Sequence, residues 1–481
     1  MSASSININI PIIHHHTEME PNTDCDRQIQ EFGGLRLLPP EILLEICSYL
    51  SLSDARSLRL CCKRLADTGA CYGFRDIAIY CLKSDLDMLR AFSHHPIISK
   101  NIKKLTYRAA TLVKPELPPF YTADEYSRFF VHRGTQILTG PKQHWLPAST
   151  FYPVWNMFAY MNDIEENYKQ YKKTALEQFL IVKNKEDCTL LEEVLPRLQA
   201  LKEIAIDNSP YGNLPPFKSL FAPPCRPRHE RSVQAMMYGL CRSGLRINKL
   251  SANWLLPSIF NTAFLQQIIP ACKYLKSIDL WIAQSITRYD ECYAVDPLFE
   301  NSRRAHEHGA LAKFLNSLSS LESLSVRYHD RPWNRWPLRW AIDHGAKWSN
   351  LRCIYFHEIL TDRRELIAFF RRHRLSLEKV TISKCDLQNT SCKILLCQMK
   401  EILKLKQITI SSTLEGHFEA TEDNTGFVYD PQHPLKQLWW FGSASDPRSL
   451  GFKVADWFLR DAPCPLVPGI QRGKINLFLS E

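Results

Sequence analysis

The sequence predicts an α/β fold in which a small all-α hairpin precedes an α/β solenoid, a curved parallel sheet with helices on its convex face. Three observations carry this. A proline-started amphipathic stretch lies at residues 38 to 65, an apolar triplet recurs along most of the remaining chain, and helix-like segments precede several of its copies. With 481 residues, 45% of them hydrophobic and 23% charged, the chain can bury a large core in more than one unit.

In chain order, residues 1 to 34 read as a flexible polar leader ending at Gly33-Gly34. His14, His15 and His16 are adjacent in that tail and lack the spacing of a dedicated metal site. Residues 35 to 75 form the hairpin. Pro39 and Pro40 suit a helix start, where a missing N–H costs nothing, and Glu41 complements the dipole of the first turn. Ile42, Ile46 and Leu50 fall at i, i+4 and i+8 beside Leu43 and Cys47, so one broad face is apolar. A second helix is expected to follow, capped by Ser53 or Asp54 and carrying Ala55, Leu58, Cys62 and Leu65. So small a unit buries too little surface alone and must be covered by the rest of the chain or by a partner.

These residues resemble an F-box, the motif by which substrate receptors hold the small adaptor of a cullin-RING ubiquitin ligase. The family's opening is met by Leu38, Pro39, Glu41, Ile42 and Leu43, its later apolar positions by Ile46, Tyr49 and Leu50, and its Asp, Leu-Arg and Cys by Asp54, Leu58, Arg59 and Cys62. Ala55 stands where a larger aliphatic is usual and Leu65 where an aromatic is common, two departures that bear on the tightness of the contact. The resemblance implies adaptor binding through Leu38, Pro39, Pro40, Glu41, Ile42, Leu43, Ile46, Tyr49, Leu50, Leu58, Cys62 and Leu65. Through the adaptor it implies cullin and RING subunits as partners, with catalysis in those subunits and an unknown protein as target.

Downstream, an apolar residue is followed by another three on and a third two further. Leu201/Ile204/Ile206, Leu275/Ile278/Leu280, Leu321/Leu324/Val326, Leu351/Ile354/Phe356, Leu377/Val380/Ile382, Leu405/Ile408/Ile410 and Leu435/Leu438/Trp440 fit, with weaker copies at Ile102/Leu105/Tyr107 and Ile247/Leu250/Ala252. Starts at 321, 351, 377, 405 and 435 lie 30, 26, 28 and 30 residues apart, at or just above the leucine-rich-repeat period. A strand with a helix across its back cannot bury itself singly, and stacked neighbours bury a continuous core. The expected organisation is a first repeat-like unit at 76–113, an inserted helical region at 114–190, a leucine-rich-repeat-like array at 191–445, and a C-terminal cap and tail at 446–481. The Pro-rich run from Ser209 to Arg228 and the polar run from Gln284 to Glu307 are expected to be long loops. The arrangement resembles fungal F-box proteins with degenerate repeats.

Residues alternating with the triplets should face the concave surface, which selects Trp281, Arg327, Tyr355, His357, Lys379, Trp439 and Phe441 as candidate target-binding residues. An alternative covers Trp439 and Phe441 with a capping helix around Trp457. The segment from Arg331 to Trp340 reads either as an Arg-Trp recognition patch or as a back-face element with its indoles packed inward. Arg363, Arg364, Arg371, Arg372 and Arg374 read either as a grip for a phosphorylated motif or as a solvated helix face.

Sixteen scattered cysteines show no repeated zinc spacing, and no signal peptide or apolar run of membrane-span length is visible. A cytoplasmic or nuclear setting is expected, without membrane attachment, cofactor, metal or small-molecule substrate. The net charge of +10 is interleaved with acids and accompanies no nucleic-acid-binding motif. No phosphate loop, zinc-protease motif or nucleophile elbow appears, so the chain reads as a receptor rather than an enzyme. Its alternatives are an adaptor-binding scaffold acting outside degradation and a repeat protein binding nucleic acid.

Overall fold

The computed structural model describes residues 38–108, 164–208, 229–255, 259–260, 262–283, 304, 306–329, 336–388, 391–417, 436–442, 446–460 and 462–466. The expected leader with its three histidines, the loop at 209–228, nearly all of the 284–307 excursion, and residues 114–163 of the expected insertion lie outside them. The chain divides into two compact units, Met1–Phe74 and Arg75–Glu481.

The first unit is helical: α1 (Pro40–Tyr49), α2 (Leu52–Leu58) and α3 (Lys63–Gly73). Pro39 is the N-cap of α1 and its carbonyl accepts from the N–H groups of Ile42 and Leu43 at 3.1 Å each, so the missing donors of both prolines fall where the helix has no use for them. The single second helix expected from the periodicity is two helices, with the break at 59–62. Its cap is Ser51, not Ser53 or Asp54. The Ser51 hydroxyl accepts from the Asp54 N–H at 3.1 Å and donates to the Asp54 carboxylate at 2.7 Å, so the helix starts at Leu52, ahead of both expected caps.

The second unit is built on β1 (Asp76–Tyr80), α4 (Lys83–His94), β2 (Lys104–Arg108), α5 (Ile164–Lys183), α6 (Glu186–Val194), β3 (Glu203–Asp207), α7 (His229–Ser243), β4 (Lys249–Leu255), α8 (Thr262–Cys272), β5 (Ser277–Ala283) and α9 (Ala310–Asn316). It continues through β6 (Ser323–His329), β7 (Trp336–Pro337), α10 (Leu338–Ala341), β8 (Cys353–His357), β9 (Ile359–Asp362), α11 (Arg363–His373), β10 (Lys379–Gln388), α12 (Cys392–Ile402), β11 (Gln407–His417), β12 (Lys436–Gly442) and α13 (Leu450–Arg460). These strands form one 12-stranded sheet in the order β1-β2-β3-β4-β5-β6-β8-β10-β11-β12, with β7 paired to β9 and β9 to β10. Every strand on the main path adds beside its predecessor. The pairs are parallel from β1 to β11, so the chain must cross back between them, and helices make most of those crossings.

The register explains why the triplets recur. Leu105, Ile204, Leu250, Ile278, Leu324, Ile354, Val380 and Ile408 are partners in successive pairs and all are buried, so one residue type repeats at one height across the sheet. The turn into each strand repeats too: Glu322 and Ser323 both donate to the Lys276 carbonyl at 2.7 and 2.9 Å, and Glu378 and Lys379 both donate to that of Arg352 at 2.8 and 2.9 Å. A copy of the pattern not read from the sequence, Phe74/Ile77/Ile79, supplies β1, and all three are buried.

Two further expectations change. Helix α6 straddles the expected boundary between the 114–190 insertion and the 191–445 array; it precedes β3 and packs on α4 and α7, so it belongs to the strand-and-helix series. β12 runs antiparallel to β11, with Trp439 opposite Leu414 and Leu438 opposite Glu415.

Buried polar groups tie the layers of this unit together. Tyr107 of β2 donates to Asp187 of α6 at 2.8 Å, and Arg231 of α7 pairs with the same carboxylate. Asp187 is itself buried, and the burial and the adjoining carboxylate push the Tyr107 phenol well up. His306 donates or accepts at 3.0 Å with the Tyr328 hydroxyl and lies 4.6 Å from the Trp336 ring, wholly buried.

Candidate functional site

Within the first unit the spacing of apolar residues sets what is hidden and what is shown. Leu43 and Cys47 on α1, Ala55 on α2 and Leu65 on α3 are buried within the chain. Leu43 and Leu65, read from the sequence as docking residues, are therefore part of the packing that holds the helices together. Ala55 has the same explanation. A Cβ on Gly69 of α3 would stand 2.5 Å from the Ala55 carbonyl oxygen and 2.7 Å from Arg59 Cγ, so the two helices meet at backbone distance and leave no room for a larger aliphatic. Phe74 closes the other end, with the guanidinium groups of Arg59 and Arg56 at 4.8 and 5.3 Å from its ring and Arg56 donating to the Gly73 carbonyl at 2.8 Å.

Apolar side chains remain exposed on α1, on α2 and in the break between α2 and α3. Ile42 is 47%, Tyr49 82%, Leu52 38% and Leu60 82% exposed, and Pro39, Pro40 and Glu41 are exposed beside them. Leu38, Ile46, Leu50, Leu58 and Cys62 are half-buried. Leu52 and Leu60 were not among the expected docking residues. The helix break at 59–62 exposes Leu60, and a continuous helical periodicity hides that signal. Arg64 donates to the Leu38 carbonyl at 2.6 Å, which fixes the start of α1 against α3.

In the second unit, the sheet face opposite the triplets carries the other expected residues. Trp281, Arg327, Tyr355 and His357 are half-buried and Lys379 is exposed. Four of them, with three residues not anticipated, make one continuous row across β4, β5, β6, β8 and β10. The Trp254 and Trp281 rings stack at 5.8 Å, and the Arg327 guanidinium lies 5.1 Å from the Trp281 ring and 5.7 Å from Tyr355. Tyr355 and His357 are 6.1 Å apart, His357 Nε2 is 3.6 Å from the Glu358 carboxylate, and Lys384 Nζ donates to that carboxylate at 3.2 Å. Asp279 of β5 anchors the middle by accepting from Arg327 Nη2 at 2.7 Å. Burial pushes the Tyr355 phenol up, opposed by the Arg327 charge.

The row sits where the backbone departs from regular strand. Trp254, Glu358 and Lys384 have φ of 55°, 56° and 50°, the left-handed region that a residue with a Cβ enters at a cost. The register shifts between Ala252 and Leu255 of β4 and between Ser383 and Cys385 of β10 mark the bulges that result. Each bulge turns an extra side chain onto the face. No sequence signal announced them, because Trp, Glu and Lys are not residues that favour this conformation.

Lys379, at the start of β10, is apart from the row. Phe441, expected on the open face, is fully buried: the register shift between Ser412 and Thr413 leaves it as the extra residue of β12, and α13 packs over both strands. A Cβ on Gly451 of α13 would run into the carbonyl oxygens of Ile410 and Phe441, so helix and sheet touch backbone to backbone there. The Trp439 side chain lies outside the described residues. Trp336 is buried, and Arg339 beside it is exposed, while residues 331–335 lie outside the described set. On α11, Leu366, Ile367, Phe369 and Phe370 face inward and Arg364 and Arg371 outward, and Arg372 donates to the Ala346 carbonyl at 3.1 Å.

Among the described residues no group of three or more His, Cys, Asp or Glu side chains could hold a metal ion, and no helix is long and apolar enough to cross a membrane.

Compared with known proteins, residues 35–69 match the F-box-like family. The helical unit thus carries an F-box-like domain, followed by a mixed α/β unit with a large parallel sheet. No curated protein matches the chain. Among solved structures, the apo form of 3-keto-D-glucoside 4-epimerase from E. coli aligns at 10% identity over 49% of this chain and 89% of that one. Its TM-score of 0.18 is too low to support any argument about fold or activity.

Proposed function

We propose that the chain is a non-catalytic substrate receptor of an SCF-type cullin-RING ubiquitin ligase. The F-box-like domain holds the adaptor and the sheet unit holds a protein target. The observation that carries this reading is the F-box-like match at 35–69 on helices that leave Ile42, Tyr49, Leu52 and Leu60 uncovered. In this reading the sheet unit is a degenerate leucine-rich-repeat solenoid of fungal type whose concave face presents Trp281, Arg327, Tyr355, His357 and Lys379. Cullin and RING subunits join through the adaptor and supply the catalysis, and the receptor contributes proximity. The setting is cytoplasmic or nuclear, and no cofactor is needed.

Co-purification tests the assignment. Replacing Pro39, Ile42 and Tyr49 together with Ala removes exposed surface without touching the buried residues of the hairpin. The variant should lose the adaptor, and with it cullin, while the sheet unit keeps its thermal transition. Unchanged adaptor recovery would sink the proposal. Adaptor recovered from the intact chain without cullin would favour a scaffold acting outside degradation.

A further inference from the structure

The row on the sheet face has a composition and a length that define what it can hold. It crosses five neighbouring strands, about 19 Å at the usual strand spacing, which about six residues of an extended chain would span. At one end are two stacked indoles, and at its centre is one guanidinium whose position is fixed from several sides. Trp281 and Tyr355 lie against it and Asp279 holds Nη2. Among the described residues Nη1 has no hydrogen-bond partner, and it is not among the buried unpartnered atoms, so it is open to solvent. With Nη2 anchored on Asp279, Nε buried without a hydrogen-bond partner and Nη1 open, the guanidinium is pre-organised to accept a single further anion at Nη1.

Charge balance says which anion. Asp279 pairs with Arg327, and Glu358 pairs with Lys384, so the row holds as many carboxylates as fixed cations. A nucleic-acid backbone needs an uncompensated basic track, which this row is not. A doubly charged phosphate at Arg327 would meet the charge of Asp279 nearby, whereas one carboxylate would not overload the site. We infer that this row binds an extended peptide segment of the target that sets one Asp or Glu carboxylate on Arg327 Nη1 and an apolar side chain on the Trp254–Trp281 pair. The inference rests on the reading of this face as the target-binding surface.

The test uses the intact chain and fluorescein-labelled heptapeptide pools, with Leu, Phe, Pro and Ser mixed at every position except the centre. The centre is fixed as Glu, Gln, Lys or phosphoserine. Anisotropy should show the Glu pool binding about tenfold more tightly than the Gln pool, the worth of one charge-assisted hydrogen bond. Arg327→Gln should erase that ratio with its circular dichroism spectrum unchanged. Trp281→Leu should weaken the Glu and Gln pools alike and leave the ratio standing. Equal binding of the Glu and Gln pools, or a ratio that survives Arg327→Gln, overturns the inference. So does a phosphoserine pool that binds far better than the Glu pool, or a single-stranded oligouridylate that binds better than any peptide pool. Adaptor capture is scored on the same preparations. Its loss with the peptide preference intact counts against the ligase assignment alone, and the converse counts against this inference alone.

Discussion

The two units use their apolar residues in opposite ways. The helical unit has few buried side chains and leaves Ile42, Tyr49, Leu52 and Leu60 exposed, whereas the sheet unit buries its apolar triplets and shows a face of mixed aromatic and charged groups. A surface of the first kind gains affinity from area removed from water and tolerates imprecise geometry. One of the second kind gains little from area, and depends on fixed positions such as Arg327 between Trp281, Tyr355 and Asp279. The two parts of one chain thus expose surfaces of different chemistry, one mainly apolar and one of fixed aromatic and charged groups.

If the units are as different as this, damage to one should stay there. The largest effect expected is from Asp187→Ala, which leaves Arg231 and Tyr107 without their buried carboxylate and should cost the sheet unit about 4 kcal/mol in denaturant titrations. Adaptor capture by the helical unit should survive at temperatures where both proteins are folded. Loss of adaptor capture in Asp187→Ala at temperatures where the helical unit stays folded would break the comparison.

Acid should also act on the sheet unit first. Burial depresses His306 from its usual value to about 3, so the folded state keeps the ring neutral while the unfolded chain protonates it below about 6.5. The unfolded state then binds more protons, and stability falls as the pH drops through the window from 6.5 towards 3. This one group should remove about 2 kcal/mol between pH 7 and pH 5. The slope should flatten in His306→Phe, and a wild-type slope retained in that variant would refute the assignment. The smallest effect is at Ser51→Ala, which removes the N-cap of α2 and should cost the helical unit about 1 kcal/mol while leaving the sheet transition unmoved.

Much of the sheet was legible because its period is written in side chains. Parallel in-register pairing places the same position of every copy at the same height, so Leu105 through Ile408 had to be apolar together. The copy at Phe74, Ile77 and Ile79 obeys the same rule but follows the last helix of the first unit directly, where helical spacing masks it. What the pattern does not carry is strand direction or irregular register: β12 fits the spacing yet runs the other way, and its register passes over Phe441, which is buried. In the helical unit the apolar stripe was visible, but exposure was not. Leu43, Leu65 and Leu60 are all apolar at plausible helical positions, and only the close approach of Gly69 to Ala55 and the break at 59–62 separate the hidden ones from the shown. The aromatic and charged row was legible at Trp281, Arg327, Tyr355 and His357. Trp254, Glu358 and Lys384 were not, since they reach the row through left-handed bulges.

The reversal at β12 also bears on association between copies of the chain. A sheet that grows by adding parallel strands has ends that complement one another, and such an end-to-end contact repeats without closing into filaments. β12 presents a strand of the wrong polarity to continue that series, and α13 lies over it with Gly451 against the backbone of Ile410 and Phe441. One antiparallel strand thus ends the parallel series, so a second molecule's first strand, laid on in the same sense, would meet β12 in an antiparallel pairing and not in the register that repeats along the rest of the sheet.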